Sequence, residues 1–315
     1  MIVAIAGGVG AARFIRGLLE VVDPAEVTVV VNTADDTVFH GLHVSPDIDT
    51  VVYTTAGAID PVRGWGLAGE TWTAMDSLRR YADHGAVTWF NLGDRDLATH
   101  LWRTGRLREG ATLTEVTDQL RRAWGLGFRM LPMTDDTVAT RLETALGSLP
   151  FQEYFVGHHH SIEVSGVHFD GAADALPAPG VIDALMAADA IVVCPSNPLV
   201  SIGPILAVPG IVEALTGRRE VCVAVSPIVD GAALKGPADR MLTGLGHEAS
   251  VVGVARLYAS FVSTLIIDDA DRARADEVRA AGVKAVVTDT IMSKHGVGAA
   301  LARTALDAAR GSVSA

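Results

Sequence analysis

The sequence predicts an α/β fold, a Rossmann-like three-layer αβα sandwich on a mostly parallel sheet. Three observations predict it. Residues 1–36 read as a strand at Ile2–Ala6, a glycine turn at Gly7-Gly8-Val9-Gly10, a helix over Ala11–Val22 with Phe14, Leu18, Leu19 and Val22 near helical spacing, and a second apolar strand at Val27–Val31. This is one βαβ unit with a parallel crossover. From Pro179 the alternation returns, with a helix at Val181–Ala188 and strands at Ala190–Cys194, Glu220–Val225, Val251–Val254, Thr264–Ile267 and Ala285–Val287. Finally, 315 residues with 49% apolar and 20% charged content suffice for a large core, here expected as one domain over 1–315.

The glycine turn sets the first functional expectation. Glycines let backbone approach a ligand closely, and the helix behind them starts with free N–H groups that hold phosphate. A dinucleotide fingerprint needs glycine where Arg13 stands and an acid where Asn32 stands, and the Gly-Lys-Ser/Thr of a P-loop is absent. The turn therefore reads either as a tight turn alone or as a cradle for a mononucleotide or diphosphate. Asn32, Thr33, Asp35 and Asp36 follow the second strand, where open α/β sheets bind ligands.

Between the two α/β runs the pattern changes. Ser45-Pro46 breaks the chain, and Asp47 and Asp49 follow. Two carboxylates beside a phosphate cradle suit Mg²⁺, and acids at a helix start also suit capping; both readings stand. A helical segment is expected near 60–125, with helices over Trp65–Gly85 and Leu113–Trp124 and a short strand at Val87–Phe90. Asp94, Arg95 and Asp96 after Gly93 are either a solvated loop or a polar wall with Arg95 on phosphate. A β-rich insertion is expected near 137–175, from Thr137–Glu143 and the alternation of Phe151–Asp170. His158–His160 inside it read as an exposed polar turn rather than a metal site. Pro195-Ser196-Asn197 after the 190–194 strand offers hydroxyl and amide groups to the far side of a nucleotide, or is a plain βα turn. Lys235 before the next helix is either solvated or within reach of a phosphate, and Asp268, Asp269 and Asp271 cap a helix.

Net charge is −12, which argues against a nucleic-acid face. The two cysteines, Cys194 and Cys222, lie in apolar runs and suit a reduced, cytoplasmic protein. No signal peptide and no membrane span is expected.

Gly7–Gly10, Ser45-Pro-Asp-Ile-Asp49, Asn91–His100, Leu131–Asp136 and Pro195–Pro204 together resemble the 2-phospho-L-lactate transferase family, and most of all its actinobacterial phosphoenolpyruvate transferases of coenzyme F-420 biosynthesis. The resemblance implies Mg²⁺-dependent transfer of a phosphoenolpyruvyl or 2-phospholactyl group from a guanosine diphosphate ester to the ribityl hydroxyl of the deazaflavin Fo, with release of GMP. It implies acceptor contacts at Asp49 and Asn91, joined by Asp94 and Asp96 along the same cleft. The nucleotide is expected on Gly7, Gly8, Gly10, Asn32, Asp36, Ser196 and Asn197, the metal on Asp47 or Asp49, and catalytic work on Asp49, Asp47 and Arg95. A homodimer is the expected assembly. Two rivals are a nucleotide-sugar-binding regulator of the gluconeogenesis-factor type and a nicotinamide oxidoreductase; Arg13 and Asn32 speak against the second.

Overall fold

The computed structural model describes residues 1–311. In chain order it runs β1 (Ile2–Ala6), α1 (Gly8–Leu18), β2 (Val27–Val31), a hairpin of β3 (Thr37–Phe39) and β4 (Leu42–Val44), α2 (Pro46–Thr55), α3 (Thr73–Leu78), α4 (Asp94–Arg108) and α5 (Leu113–Ala123). Next come β5 (Arg129–Pro132), β6 (Ala139–Thr144), β7 (Gly147–Pro150), β8 (Val164–Asp170), α6 (Val181–Ala187), β9 (Ala190–Val193), α7 (Gly203–Ala207), α8 (Ile211–Gly217) and β10 (Cys222–Val225). The chain ends with β11 (Ile228–Val229), β12 (Ala232–Ala233), α9 (Ala238–Gly244), α10 (Val251–Tyr258), β13 (Thr264–Ile267), α11 (Ala275–Ala280), β14 (Lys284–Val287) and α12 (Val297–Ala309).

The main sheet has the order β14-β13-β10-β9-β1-β2-β5 and every pair in it is parallel. Its strands are apolar on both faces because both faces are covered. Val3, Ile5, Val30, Ile191 and Val193 pack under α6, α7, α8 and α10. Ile2, Ala4, Ala6, Val29 and Val31 pack under α1, α2, α5 and α12. The chain leaves β1 towards β2 and β5 on one side, then returns through β9 towards β14 on the other. The connections reverse between β1 and β9, the switch point where such sheets open a crevice at their carboxyl ends.

Helix α1 is held tightly on two sides. A Cβ on Gly10 would collide with the Pro195 carbonyl after β9, and one on Gly17 would collide with the backbone of Gly298 in α12. β6, β7 and β8 form the antiparallel insertion, sealed by Leu142, Tyr154, Val164, Val200 and Met241. α5 starts with a capping box between Thr112 and Glu115.

Four expectations are corrected. Trp65–Gly85 is not one helix: only Thr73–Leu78 is α-helical, and Gly64, Gly66 and Gly69 take φ of 73°, 65° and 69°, which breaks helical propagation. Val87–Phe90 forms no strand, and Phe90 instead stacks on Phe39 at 4.3 Å. The β pattern over Phe151–Asp170 holds only for β8, since Glu153–Gly157 is a helical turn. Val251–Val254 opens helix α10, capped by Ser250, whose hydroxyl accepts from Val252 and Gly253 N–H; a short run of valines carries no period that separates strand from buried helix.

Among the described residues no single helix is long and apolar enough to cross a membrane. Cys194 and Cys222 are buried and unpaired. Because the α1–α12 crossing has no room for a methyl group, Gly17→Ala should lower stability by about 1–3 kcal/mol in urea unfolding; an unchanged midpoint would show that the crossing can slide apart freely.

Candidate active site

One large cavity of about 690 Å³ opens over the switch point, within the size range of ligand sites. Its floor is the glycine turn after β1 and the Pro195–Asn197 turn after β9. Asp35, Asp47, Asp49, Asp96 and His100 form one flank. Apolar and aromatic groups, including Tyr53, Trp65, Phe90, Phe151 and Phe155, form much of the rest.

Asp47 is the hinge of the floor. It sits in the first turn of α2, but its carboxylate serves a different helix: it accepts from the Gly8 N–H at the start of α1 and from Asn32 Nδ2 at 2.9 Å. Gly8 has φ of 72°, which glycine adopts without strain. A Cβ on Gly7 would lie 2.7 Å from Ser201 Cβ and 3.1 Å from Asp47 Oδ2, so the turn is glycine partly to admit this carboxylate. Burial raises the Asp47 pKa to about 7, with Asp36 adding to the rise and the Asn32 and Gly8 hydrogen bonds opposing it. Asp35 is also buried, and its pKa is pushed well up by burial, then by the charges of Asp47 and Asp36. Its Oδ1 has no hydrogen-bond partner.

Asp49, one helical step further on, lives in a different environment. Arg103 of α4, 1% exposed, grips both of its oxygens. Burial disfavours a charged guanidinium, but the Asp49 carboxylate more than offsets this, so Arg103 is held protonated more firmly than usual. Arg103 Nη1 also reaches His100 Nδ1 at 3.2 Å. A guanidinium only donates, so Nδ1 is the acceptor and Nε2 carries the proton, facing Asp96 Oδ2 at 3.2 Å. Tyr53 donates to Asp96 Oδ1 at 2.6 Å. Burial works to raise the Asp96 pKa, but His100 and Tyr53 overcome it, and Asp96 stays below the usual carboxylate range. Asp49, Asp96 and His100 place ligand atoms within 4.8 Å of one another, with the Arg103 guanidinium against Asp49 and the Tyr53 hydroxyl against Asp96.

The expected site residues divide into two groups. Gly7, Gly8, Gly10, Asp47, Asp49, Asn91, Asp96, Ser196 and Asn197 all line the cavity. Asn32, Asp36, Asp94 and Arg95 are not among its lining residues, and the structure gives each of them other partners. Asn32 is fully buried and links Asp47 to the Ala34 N–H. Asp36 accepts from Ser45 Oγ at 2.6 Å and faces His43 at 2.9 Å. Asp94 accepts from Thr71, Thr73 and Ala74 and so fixes the approach to α3. Arg95 is exposed, with its side chain on the Ala68 carbonyl. Asp94 begins α4, and successive residues on a helix face different ways, so the acid-base-acid run is not one wall. Ser196 and Asn197 line the floor while holding it: Ser196 Oγ donates to the Gly7 carbonyl at 2.6 Å, and Asn197 Oδ1 accepts from Leu199 N–H at 2.9 Å.

Sequence reading placed Asp35 only in the general ligand-binding position after β2, missed Tyr53 and Arg103 as parts of this site, and took His100 only as the end of a motif. The one signal available was spacing: Asp96, His100 and Arg103 recur at i, i+4 and i+7 on one helix face. Of the histidine run, His160 reaches the cavity, with its ring 5.1 Å from that of Phe155.

The sequence profile of the family described as 2-phospho-L-lactate transferase CofD matches residues 2–305, and the chain belongs to that family. It is 44% identical to a phosphoenolpyruvate transferase of Kitasatospora aureofaciens over 97% of this chain and 96% of that protein. It is 42% identical to one of Nocardia farcinica, over 98% and 94%. A 2-phospho-L-lactate transferase of Methanosarcina mazei is 38% identical over 91% of this chain and 93% of its own. A solved structure of a UPF0052-family protein from Bacillus halodurans shares the fold, with a TM-score of 0.62 at 15% identity over 97% of this chain and 98% of that one.

Removing Arg103 strands a buried carboxylate. Arg103→Leu should cost about 3–5 kcal/mol in chemical denaturation, and adding Asp49→Asn should recover part of it. Equal stability of Arg103→Leu and the parent protein would refute a dry, mutually dependent pair.

Proposed function

We propose that this transferase moves a phosphoenolpyruvyl or 2-phospholactyl group from its diphosphoguanosine ester to the terminal ribityl hydroxyl of Fo. The acceptor oxygen attacks the distal phosphorus, the bridging P–O bond breaks, GMP leaves with the bridging oxygen, and the hydroxyl proton passes to a carboxylate or water. A phosphodiester results. The observation that carries this reading is one cavity lined by glycine turns, carboxylates and aromatic rings together, in a chain 38–44% identical to named transferases. That likeness favours the transferase over a nucleotide-sugar-binding regulator.

The chain's residues divide the work. Tyr53, Trp65, Phe90 and Phe155 offer flat apolar surface for a deazaflavin ring. Asp49, gripped by Arg103, and Asp96, faced by His100 and Tyr53, accept hydrogen bonds from the polyol chain, with Asn91 on the cavity wall. Asp49 thereby orients the attacking hydroxyl.

Phosphoryl transfer rests on positioning and charge neutralisation. The unpartnered Asp35 Oδ1 beside Asp47 fits a hard cation with oxygen ligands. Asp47, with Asp35 as its acidic neighbour in place of Asp49, would hold Mg²⁺. Bound there, the ion supplies positive charge to the diphosphate. The protein is taken to work in the cytoplasm as a homodimer.

Two measurements test this reading. Fo fluorescence should be perturbed on titration with the protein in the presence of GDP and Mg²⁺, and Asp49→Ala should weaken that binding at least tenfold, in line with the loss of a charge-assisted hydrogen bond. Absence of Fo binding alongside firm nucleotide binding would refute the transferase. The second test is electrostatic. A carboxyl whose folded pKa is raised stabilises the protein while protonated, and that stability is lost as pH climbs through about 7 for Asp47. Added Mg²⁺ should therefore raise the thermal midpoint more at about pH 8 than at about pH 5, and Asp47→Asn should remove the difference. Equal Mg²⁺ effects at both pH values would place the ion elsewhere.

A further inference from the structure

The floor of the cavity has fewer free donors than its glycines suggest. The Gly8 N–H is given to Asp47, Ser196 Oγ to the Gly7 carbonyl, and Asn197 caps the turn that follows it. Four carboxylates, Asp35, Asp47, Asp49 and Asp96, face the same space. A diphosphate entering it brings two more negative charges, which these groups do not meet.

Three strong cations touch the cavity wall: Arg13 in the second turn of α1, Arg63 in the loop before α3, and Lys235 in the loop between β12 and α9. Arg63 is already committed. It pairs with Asp60 at 3.0 Å, donates to the Leu67 carbonyl at 2.9 Å, and lies 5.3 Å and 5.1 Å from the rings of Trp65 and Trp72. Arg13 and Lys235 are different. Among the described residues neither makes a side-chain hydrogen bond or an ion pair, although four acids line the same cavity. They are also neighbours: partial burial, then the charge of Arg13, lowers the Lys235 pKa. Lys235 Nζ lies 2.6 Å from where a Gly64 Cβ would stand, so a bare glycine leaves its ammonium room at the rim. Two like charges on the wall of one cavity without a counter-charge repel, and an anion bound between them removes that cost.

We infer that Arg13 and Lys235 form a two-cation clamp for the diphosphate of the guanosine donor. The planar guanidinium meets two oxygens of one phosphate, and the ammonium acts as a point charge on a flexible stem. The clamp rests on the transferase reading for the identity of its ligand, but not for its chemistry, which is that of any diphosphate.

The test is calorimetric titration of the full-length protein with GDP, inorganic pyrophosphate and guanosine, each with Mg²⁺, for the parent, Arg13→Gln, Lys235→Gln and Lys235→Arg. Thermal midpoints check that each variant is folded; Lys235 lies in an exposed loop, so its variants keep the test open if Arg13→Gln fails to fold. The expected result is a loss of about ten- to hundredfold in affinity for both GDP and pyrophosphate in each Gln variant, the size of a hydrogen bond to a charged group. Lys235→Arg should retain most of the affinity, and guanosine binding should not change. Unchanged GDP and pyrophosphate affinities in the folded Gln variants would overturn the clamp, and so would a loss for GDP with none for pyrophosphate. A parent protein that binds pyrophosphate but not GDP, with that binding lost in the variants, would uphold the clamp and overturn the guanosine diphosphate reading.

Discussion

The Asp49–Arg103 ion pair is the constraint that the acidic flank depends on. Both groups are buried, so each is tolerable only with the other present. The pair ties α2, which follows the first βαβ unit, to α4, which lies far along the chain. With α4 fixed, Asp96 and His100 fall beside Asp49, Tyr53 can reach Asp96, and the segment before α4 is pinned through Asp94 and Glu70. A helix with little apolar face of its own is thus placed by charge, and a hydrogen-bonded network at the cavity follows from it.

The acids of the cavity fall into two sets by their partners: burial raises the pKa of Asp35, Asp47 and Asp49 alike, but Asp49 has a guanidinium against it and Asp96 a hydroxyl and an imidazole. Asp49 and Asp96 are surrounded by donors, so they are ready-made acceptors for hydroxyl groups. Asp35 and Asp47 have fewer donors than their burial demands and gain from a positive ligand. Asp47 and Asp49 are two residues apart on α2, yet one belongs to each set. Their division follows from helix geometry: two residues on a helix point well apart, so Asp47 turns to α1 and Asp49 to α4.

Much of the fold was legible in the chain. Ile2–Ala6, Val27–Val31 and Thr264–Ile267 are apolar runs of strand length, and each became a strand of the parallel sheet. Val251–Val254 was misread because valines in a buried helix and a buried strand look alike without a longer period. The site was legible where chemistry sits at strand ends, as at Gly7–Gly10 and Ser196–Asn197. It was illegible where tertiary packing decides the facing. Asp36 and Asp94 look as functional as Asp35 and Asp96 in a string of letters, but the first pair is consumed by Ser45, His43 and Thr71. Arg103 carries no local mark at all, since its role exists only once α4 meets α2.

The contact of Gly10 with the Pro195 carbonyl has a consequence for turnover. It fuses the two turns of the cavity floor backbone to backbone, with no side chain between them to yield. The floor is therefore organised during folding, and its geometry need not be assembled again in each catalytic cycle. Entry and exit of ligands fall to the rim, where Gly64, Gly66 and Gly236 sit in left-handed backbone conformations.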